Sequence, residues 1–338
     1  MVYGAIDLHS KHSYIRIIDA EGLVIRERQL ATTADGLVRA FAQLGPVRIL
    51  LEAGTESEWV AQALEAAGHA VLVADPNFAP MYGERSRHVK TDRRDVRALA
   101  EANRRGWYRL AYRRSVAQRH MQQALRSRRL LVRMRSETIS LIRSLARQAG
   151  HRVPSGRSET LPQRVAALVL PAGLTAVLAP LLRTVDALTE EITGVDARLA
   201  PIASADPVVA RLQTVPGVGP IVALTFRAVI DDVTRFHRAG QVSAALGLVP
   251  REDSSAERRH RGHITKAGPG ELRSLLVQAG WACWRSKRSG TLHAWVEGVA
   301  RRRGRRIAVV ALARRLSRIL YALWRDGSTF NAAVFAVA

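Results

Sequence analysis

The order of short apolar runs in the first hundred residues leaves few folds open to this chain. Residues 2–7 form an apolar run closed by a carboxylate, Asp7. Residues 13–19 alternate apolar and polar positions with period two, and 24–30 form a further run, which predicts two more strands. Leu37, Phe41 and Leu44 then share one helical stripe within 35–44. Residues 47–51 read as a short strand closed by Glu52, 56–67 as a helix and 70–74 as a strand. Thr91 or Asp92 opens a helix to about residue 104. Three meandering strands are thus followed by helix, strand, helix, strand and helix, an order that predicts an α/β layer architecture.

That order fits a ribonuclease-H-like fold, in which the first and fourth strands lie side by side at the centre. Asp7 and Glu52 then end neighbouring strands, with the helix of Asp92 and Asp95 packed across them. Those two acids are three residues apart, so both face one way on a helix. Converging carboxylates suit a hard cation such as magnesium, and two such ions about 4 Å apart can clamp a scissile phosphate. Each acid alone has a plainer use: Asp92 is a common type of helix-start residue. Glu56, Glu58 and Asp75 lie nearby, and Glu56 is placed to cap the following helix. Glu52 is preferred as a ligand because it closes its strand.

The chain has 338 residues, enough for two domains. Lys and Arg number 52 against 29 Asp and Glu, so the formal charge is 52 − 29 = +23. A surplus of that size seeks polyanions, and nucleic acid is the default partner, for a binder without chemistry as well as for an enzyme. Lys90, Arg93 and Arg94 flank Asp92 and Asp95 and are candidate phosphate contacts. A single cysteine, Cys283, excludes an intrachain disulfide and a Cys-rich zinc site, and reads as a small buried residue in a reducing cytoplasm. The uncharged stretch 165–182 is interrupted by Pro171, Gly173 and Pro180. A spanning helix needs about 20 predominantly apolar residues, so the stretch reads as two short buried helices and no membrane partner is expected.

The expected divisions are a metal-binding domain at 1–110, a basic helical arm at 111–152, a helical linker region at 153–200 and a mainly α-helical C-terminal domain at 201–338. In the arm, Met121, Leu125, Leu131, Met134 and Ile142 supply apolar positions among many arginines. Such a segment suits a plain helical hairpin, or a dimerising coiled coil that also follows a nucleic-acid backbone. Further on, Thr214-Val215-Pro216-Gly217-Val218-Gly219-Pro220 precedes an apolar helical run and resembles a helix–hairpin–helix turn. There Gly217 and Gly219 let backbone N–H groups approach a phosphate. A third stretch runs from Gly247 through Pro250, Ser254, Ser255, Arg258, Arg259, His260, Arg261 and His263 to Lys266 and Gly268. Its basic residues suit phosphate contact. Its serines are turn formers unless a base, a metal or a hydrogen-bond network activates one of them.

Taken in chain order, Asp7, Glu52, the Asp92/Asp95 pair, the Pro-Gly-x-Gly turn and Gly-Leu-x-Pro…Ser-Ser…Gly-x-Ile-Thr-Lys-x-Gly resemble the DEDD insertion-sequence transposases of the IS110 type. The resemblance covers nearly the whole chain. It implies a RuvC-like N-terminal domain, a coiled-coil arm and a C-terminal transposase domain with a catalytic serine. By this resemblance Asp7, Glu52, Asp92 and Asp95 are catalytic ligands of two Mg2+ ions, and Ser254 or Ser255 is the nucleophile. Many members follow the serine pair with glycine; Ala256 stands there in this chain and leaves the choice between the serines open.

The implied partners are donor and target DNA, a bridge RNA that pairs with both, and further copies of the chain in a dimer or tetramer. The implied place is the cytoplasm, at the nucleoid. The implied reaction is serine attack on a phosphate, giving a phosphoserine link and a free 3′-hydroxyl, with strand exchange through a four-way junction. Two other readings stay open at this point. One is a magnesium-dependent junction nuclease of the RuvC or DEDD-exonuclease type that uses water, and the other is a relative that only binds nucleic acid.

Overall fold

The computed structural model describes residues 1–82, 91–252 and 261–332. It divides into two compact units, Met1–Arg114 and Ser115–Ala338. In the first unit, β1 (Tyr3–Asp7), β2 (His12–Ile18) and β3 (Val24–Ala31) form an antiparallel meander. After α1 (Ala34–Phe41), β4 (Arg48–Glu52) pairs parallel with β1; after α2 (Ser57–Ala66), β5 (Ala70–Ala74) pairs parallel with β4. The strand order is therefore β3-β2-β1-β4-β5, and the strands that carry Asp7 and Glu52 are central neighbours, as expected from the sequence.

Period-two alternation sorts the apolar side chains onto the two faces of the sheet. Ile6, Ile15, Ile17, Ile49 and Leu51 pack on one face with Leu37 and Phe41 of α1 and Val60 and Leu64 of α2. Ala5, Ile18, Leu50 and Ala74 pack on the other with Val96, Leu99 and Ala100 of α3 (Asp92–Arg105). Gly4 admits the Phe41 ring, since a Cβ at Gly4 would lie 2.7 Å from it.

The third helix is defined at both ends. Thr91 Oγ1 accepts a hydrogen bond from Arg94 N–H, acids occupy the first turn and arginines the last, and Gly106 closes the helix in the left-handed conformation. One face of the helix carries Asp92, Asp95, Leu99 and Asn103, spaced three, four and four residues apart, and it is buried from Asp95 onward. Asn103 is fully buried. Its carboxamide donates to the carbonyls of Gly4 (2.8 Å) and Arg48 (2.7 Å) and accepts from Arg48 Nε (3.0 Å). One side chain thereby fastens α3 to β1 and β4 together.

The second unit opens with α4 (Val116–Gln148), followed by α5 (Leu161–Ala166) and α6 (Ala172–Ala205). α4 and α6 run antiparallel, joined by Arg128 with Asp196 and Arg135 with Thr189 (3.3 Å), and by an apolar seam of Ile139, Ile142, Leu178 and Val185. The two short buried helices expected within 165–182 are corrected here. Pro180 lies inside the long α6, and only α5 is short. The lost hydrogen bond at one proline does not outweigh packing along α4. By length and composition α6 could cross a membrane, with 17% of its most apolar window buried. Its second half nevertheless carries Arg183, Asp186, Glu190, Glu191, Asp196 and Arg198, the pattern of a helix that packs on protein and faces water.

α7 (Pro207–Leu212), α8 (Pro220–Ile230) and α9 (Ala239–Ala245) come next. A hairpin of β6 (Pro250–Glu252) and β7 (Arg261–Ile264) follows where a loop was expected. α10 (Gly270–Arg285), α11 (Thr291–Arg303) and α12 (Arg305–Asp326) complete the unit. Their core joins Leu212, Phe226, Leu276, Leu312, Leu316 and Tyr321. At its start, Asp231 accepts from both the N–H and the hydroxyl of Ser115 (2.8 Å each), which fixes the first turn of α4.

Replacing Asn103 with Ala should destabilise the first unit by about 2–4 kcal/mol, because two buried carbonyls lose the carboxamide and the Arg48 guanidinium keeps only its bond to the residue 103 carbonyl. Urea unfolding of the full chain measures this. An unchanged midpoint would show that the carboxamide does not secure α3.

Candidate metal centre

Asp7 lies at the end of β1, where the chain leaves the sheet, and its side chain is 15% exposed. Glu52 ends the adjacent parallel strand and is half-buried. From α3, Asp95 is 5% exposed, whereas the side chain of Asp92 is 53% exposed. The other three acids are each close enough to influence Asp7. Asp7 is pushed above its ordinary carboxylate value by burial first, against the opposing effect of His9, and then by repulsion from Asp95, Glu52 and Asp92. Asp7 therefore senses the other three sequence-derived acids, and Asp92 is the one whose donor atom lies in a ligand-spaced group with it.

His9 is the member that the sequence reading missed. Its Nε2 lies 3.5 Å from Asp7 Oδ2 and 3.6 Å from Asp92 Oδ1. Donor atoms of Asp7, His9 and Asp92 all fall within 4.8 Å of one another, a spacing that one cation can bridge. The available signal was the Asp-x-His spacing at the end of the first strand.

The nearby acids are engaged elsewhere. Asp75 accepts from Asn77 N–H (2.9 Å) and Arg109 (2.6 Å), which hold it below the usual carboxylate range. Glu58 pairs with Arg113 at 3.1 Å. Glu56 makes no side-chain cap to α2 and instead accepts from the Trp59 indole. Among the candidate phosphate contacts, Arg93 is tied to Glu27 on β3 at 2.5 Å although largely exposed, and Arg94 is exposed. Lys90 lies outside the described residues.

In the second unit, the expected turn joins α7 to α8 as two short helices around Gly217 and Gly219. The two glycines differ. Gly217 has φ +83°, and a Cβ there would lie 2.4 Å from Ala279 O and 2.5 Å from Cys283 N, so the backbone of α10 fills its side-chain space. Packing accounts for that glycine. Gly219 faces open space at the start of α8.

The serine-bearing stretch joins the two strands of the β6–β7 hairpin. Ser254, Ser255, Arg258 and Arg259 lie outside the described residues, as does the side chain of Arg261. The base of the hairpin is well held. Thr265 N–H donates to Val249 O (2.8 Å), and exposed Lys266, at φ +56°, donates its N–H to Gly247 O (3.1 Å). A Cβ at Gly247 would sit 2.2 Å from Ala267 O, so glycine is required at that crossing.

With this geometry in place, two family models match the chain. A DEDD transposase model of the IS110 type matches residues 5–150, which contain the acid cluster. A model described as the transposase IS116/IS110/IS902 family matches 209–294, which contain the α7–α8 turn and the hairpin. A probable family 20 transposase of Pseudomonas aeruginosa is 31% identical over 330 residues, covering 94% of this chain and 95% of its own length. The chain belongs to the IS116/IS110/IS902 transposase family.

Other similar proteins agree with that placement. The transposase for insertion sequence element IS1111A of Coxiella burnetii is 34% identical over 72% of this chain and 68% of its own. The transposase for IS1328 of Yersinia enterocolitica is 26% identical over 96% of this chain and 97% of its own. Membership of a transposase family implies cutting and rejoining of DNA.

Two expected outcomes follow from the site. Because Asp7 is raised, the folded transposase holds that proton to higher pH than the unfolded chain does. The metal-free fold therefore loses stability as pH rises above the ordinary 3.8 through the raised value. Asp7→Asn should consequently raise the melting temperature in chelator at pH 7, and a lowered one would contradict the crowding described. Separately, Gly217→Ala should cost about 2–4 kcal/mol from overpacking and left-handed strain, and Gly219→Ala well under 1. Equal losses would show that Gly217 is not a packing glycine.

Proposed function

We propose that this transposase cuts and rejoins donor and target DNA through a serine nucleophile, with the phosphate positioned by a divalent metal centre of Asp7, Glu52, Asp92 and Asp95. The observation that carries the reading is the convergence of those acids on the ends of β1 and β4 and the first turn of α3. The sheet order β3-β2-β1-β4-β5, with α3 across β1 and β4, supports a ribonuclease-H-like, RuvC-type domain.

The donor set fits a hard cation. Four carboxylates repel one another without a counter-ion, and oxygen donors suit Mg2+, in this reading two ions. When bound, the ions neutralise the cluster and polarise phosphate oxygens. The protein's own groups do the rest. Asp95 and Glu52 hold the buried side of the site, and His9 links the carboxylates of β1 and α3. Lys90, Arg94, Gly219, Arg258, Arg259, Arg261 and Lys266 contact the phosphate backbone. Arg93 contributes if Glu27 releases it. The hydroxyl of Ser254 or Ser255 attacks phosphorus; the P–O3′ bond breaks as Oγ–P forms, and the departing 3′ oxygen takes up a proton.

The reading extends to a bridge RNA as guide and to a dimer or tetramer. Exposed Leu130, Met134 and Leu141 form an apolar stripe on α4 that supports a coiled-coil contact between copies. The divisions at 110, 152 and 200, and a place in the cytoplasm at the nucleoid, belong to the same proposal.

Recombination assayed on paired donor and target DNA tests it, with trapping of covalent protein–DNA adducts as a second readout. Asp7→Asn and the double variant Ser254→Ala/Ser255→Ala should each abolish joining, and the double variant should also abolish the adduct. Cleavage that persists without either serine would favour attack by water, and full activity of Asp7→Asn would sink the metal-centre reading.

A further inference from the structure

In the second unit, an open groove of about 750 Å3 is lined by Gln278, Trp281 and Arg285 of α10 and by Arg305 and Arg306 at the start of α12. The three α10 residues are spaced three and four apart, so they share one helical face. Gly280 sets the crossing. A Cβ there would approach Val309 Cγ2 to 3.1 Å and Val309 O to 3.2 Å, so the two helices meet closely beside Trp281.

Trp281 is a rigid, partly exposed platform. Its indole stacks on Trp284 with centroids 5.4 Å apart and planes inclined by 6°. Trp284 is 5% exposed and locked by donation from its Nε1 to Glu297 (2.7 Å). The Arg305 guanidinium lies over the pair, 5.3 Å from the Trp284 ring centroid and 6.0 Å from that of Trp281, so an incoming base shares the platform with it.

Basic side chains outnumber acids around the platform, where the Glu297 carboxylate is taken up by the Trp284 indole. Among the described residues, no carboxylate pairs with Arg285, Arg305 or Arg306, and Arg301, Arg302 and Arg303 end the adjacent α11. Arg305 and Arg306 occupy the first turn of α12, which holds no acid. Cations there oppose the helix dipole and weaken the helix. Two arginines at a position that costs stability, beside a partly exposed tryptophan, call for an anionic, planar partner.

We propose that this groove binds single-stranded nucleic acid, with an unpaired base stacked on Trp281 and the flanking phosphates on Arg285, Arg305 and Arg306. Duplex DNA lacks an exposed base face and does not use the platform. Stacking is blind to the sugar, so DNA and RNA strands of one sequence bind alike. The inference rests on the reading of this chain as one that handles nucleic acid, and it adds a binding site made of residues other than the acid cluster.

Fluorescence anisotropy of the full chain with labelled single-stranded DNA, single-stranded RNA and duplex DNA tests the site. Trp281→Leu should weaken both single strands about tenfold, within the range for one stacked base, and Trp281→Phe should restore most of the loss. Duplex affinity should stay within about twofold, since stacking contributes nothing to it. The exposed double variant Arg285→Gln/Arg306→Gln should lower the salt slope for single strands by about 1.4, at ~0.7 for each lost phosphate contact. Wild-type affinity for single strands in Trp281→Leu, or an equal loss on duplex, would overturn the proposal. If Trp281→Leu fails to fold, an unchanged salt slope in the arginine variant overturns it. A chain that never cleaves DNA yet shows the Trp281 dependence would refute the proposed reaction and leave this site standing.

Discussion

The buried carboxamide of Asn103 is the joint on which the candidate site depends. A helix laid across a sheet has freedom to slide and rotate, and apolar contacts restrain that motion only loosely. Asn103 removes the freedom by bonding to the backbone of β1 and β4 at once. Those are the two strands that end in Asp7 and Glu52. The same helical face carries Asp95 and Asp92 two to three turns earlier, so the bonds that hold the helix also set its carboxylates opposite the strand ends.

Charge placement then gives the cluster its character. The first unit holds other acids near the sheet, but arginines occupy several of them: Asp75 with Arg109, Glu58 and Glu65 with Arg113, and Glu27 with Arg16 and Arg93. Within the cluster, burial first and then repulsion from the other acids raise Asp7. A fold that crowds acids in this way sacrifices some stability, which the cations of the proposed metal centre would restore. The surplus of basic residues over the whole chain supplies the complementary attraction for a phosphate backbone.

Much of the first unit was legible because its signals are local. A period-two run marked β2, short apolar runs marked β1 and β4, and a carboxylate at the end of a run marked Asp7 and Glu52 directly. The spacing of Asp92 and Asp95 placed them together on α3. Asn103 was not legible, since a buried amide takes meaning only from distant partners, and the Asp-x-His spacing of His9 gains weight only once Asp92 of α3 lies beside it. Pro180 misled because proline is a breaker by local preference, whereas packing of α6 on α4 carries the helix through it. Gly217 and Gly219 look equivalent in a Pro-Gly-x-Gly turn, and only the position of α10 separates the glycine that must pack from the one that faces outward.

Binding of Mn2+ to the full chain, followed by electron paramagnetic resonance, tests the central claim most directly. The converging acids predict saturable binding of up to about two ions, lost when Asp7, Glu52, Asp92 and Asp95 are all replaced by the corresponding amides. Undiminished binding in that variant, with the fold intact by circular dichroism, would contradict a metal centre at the ends of β1 and β4.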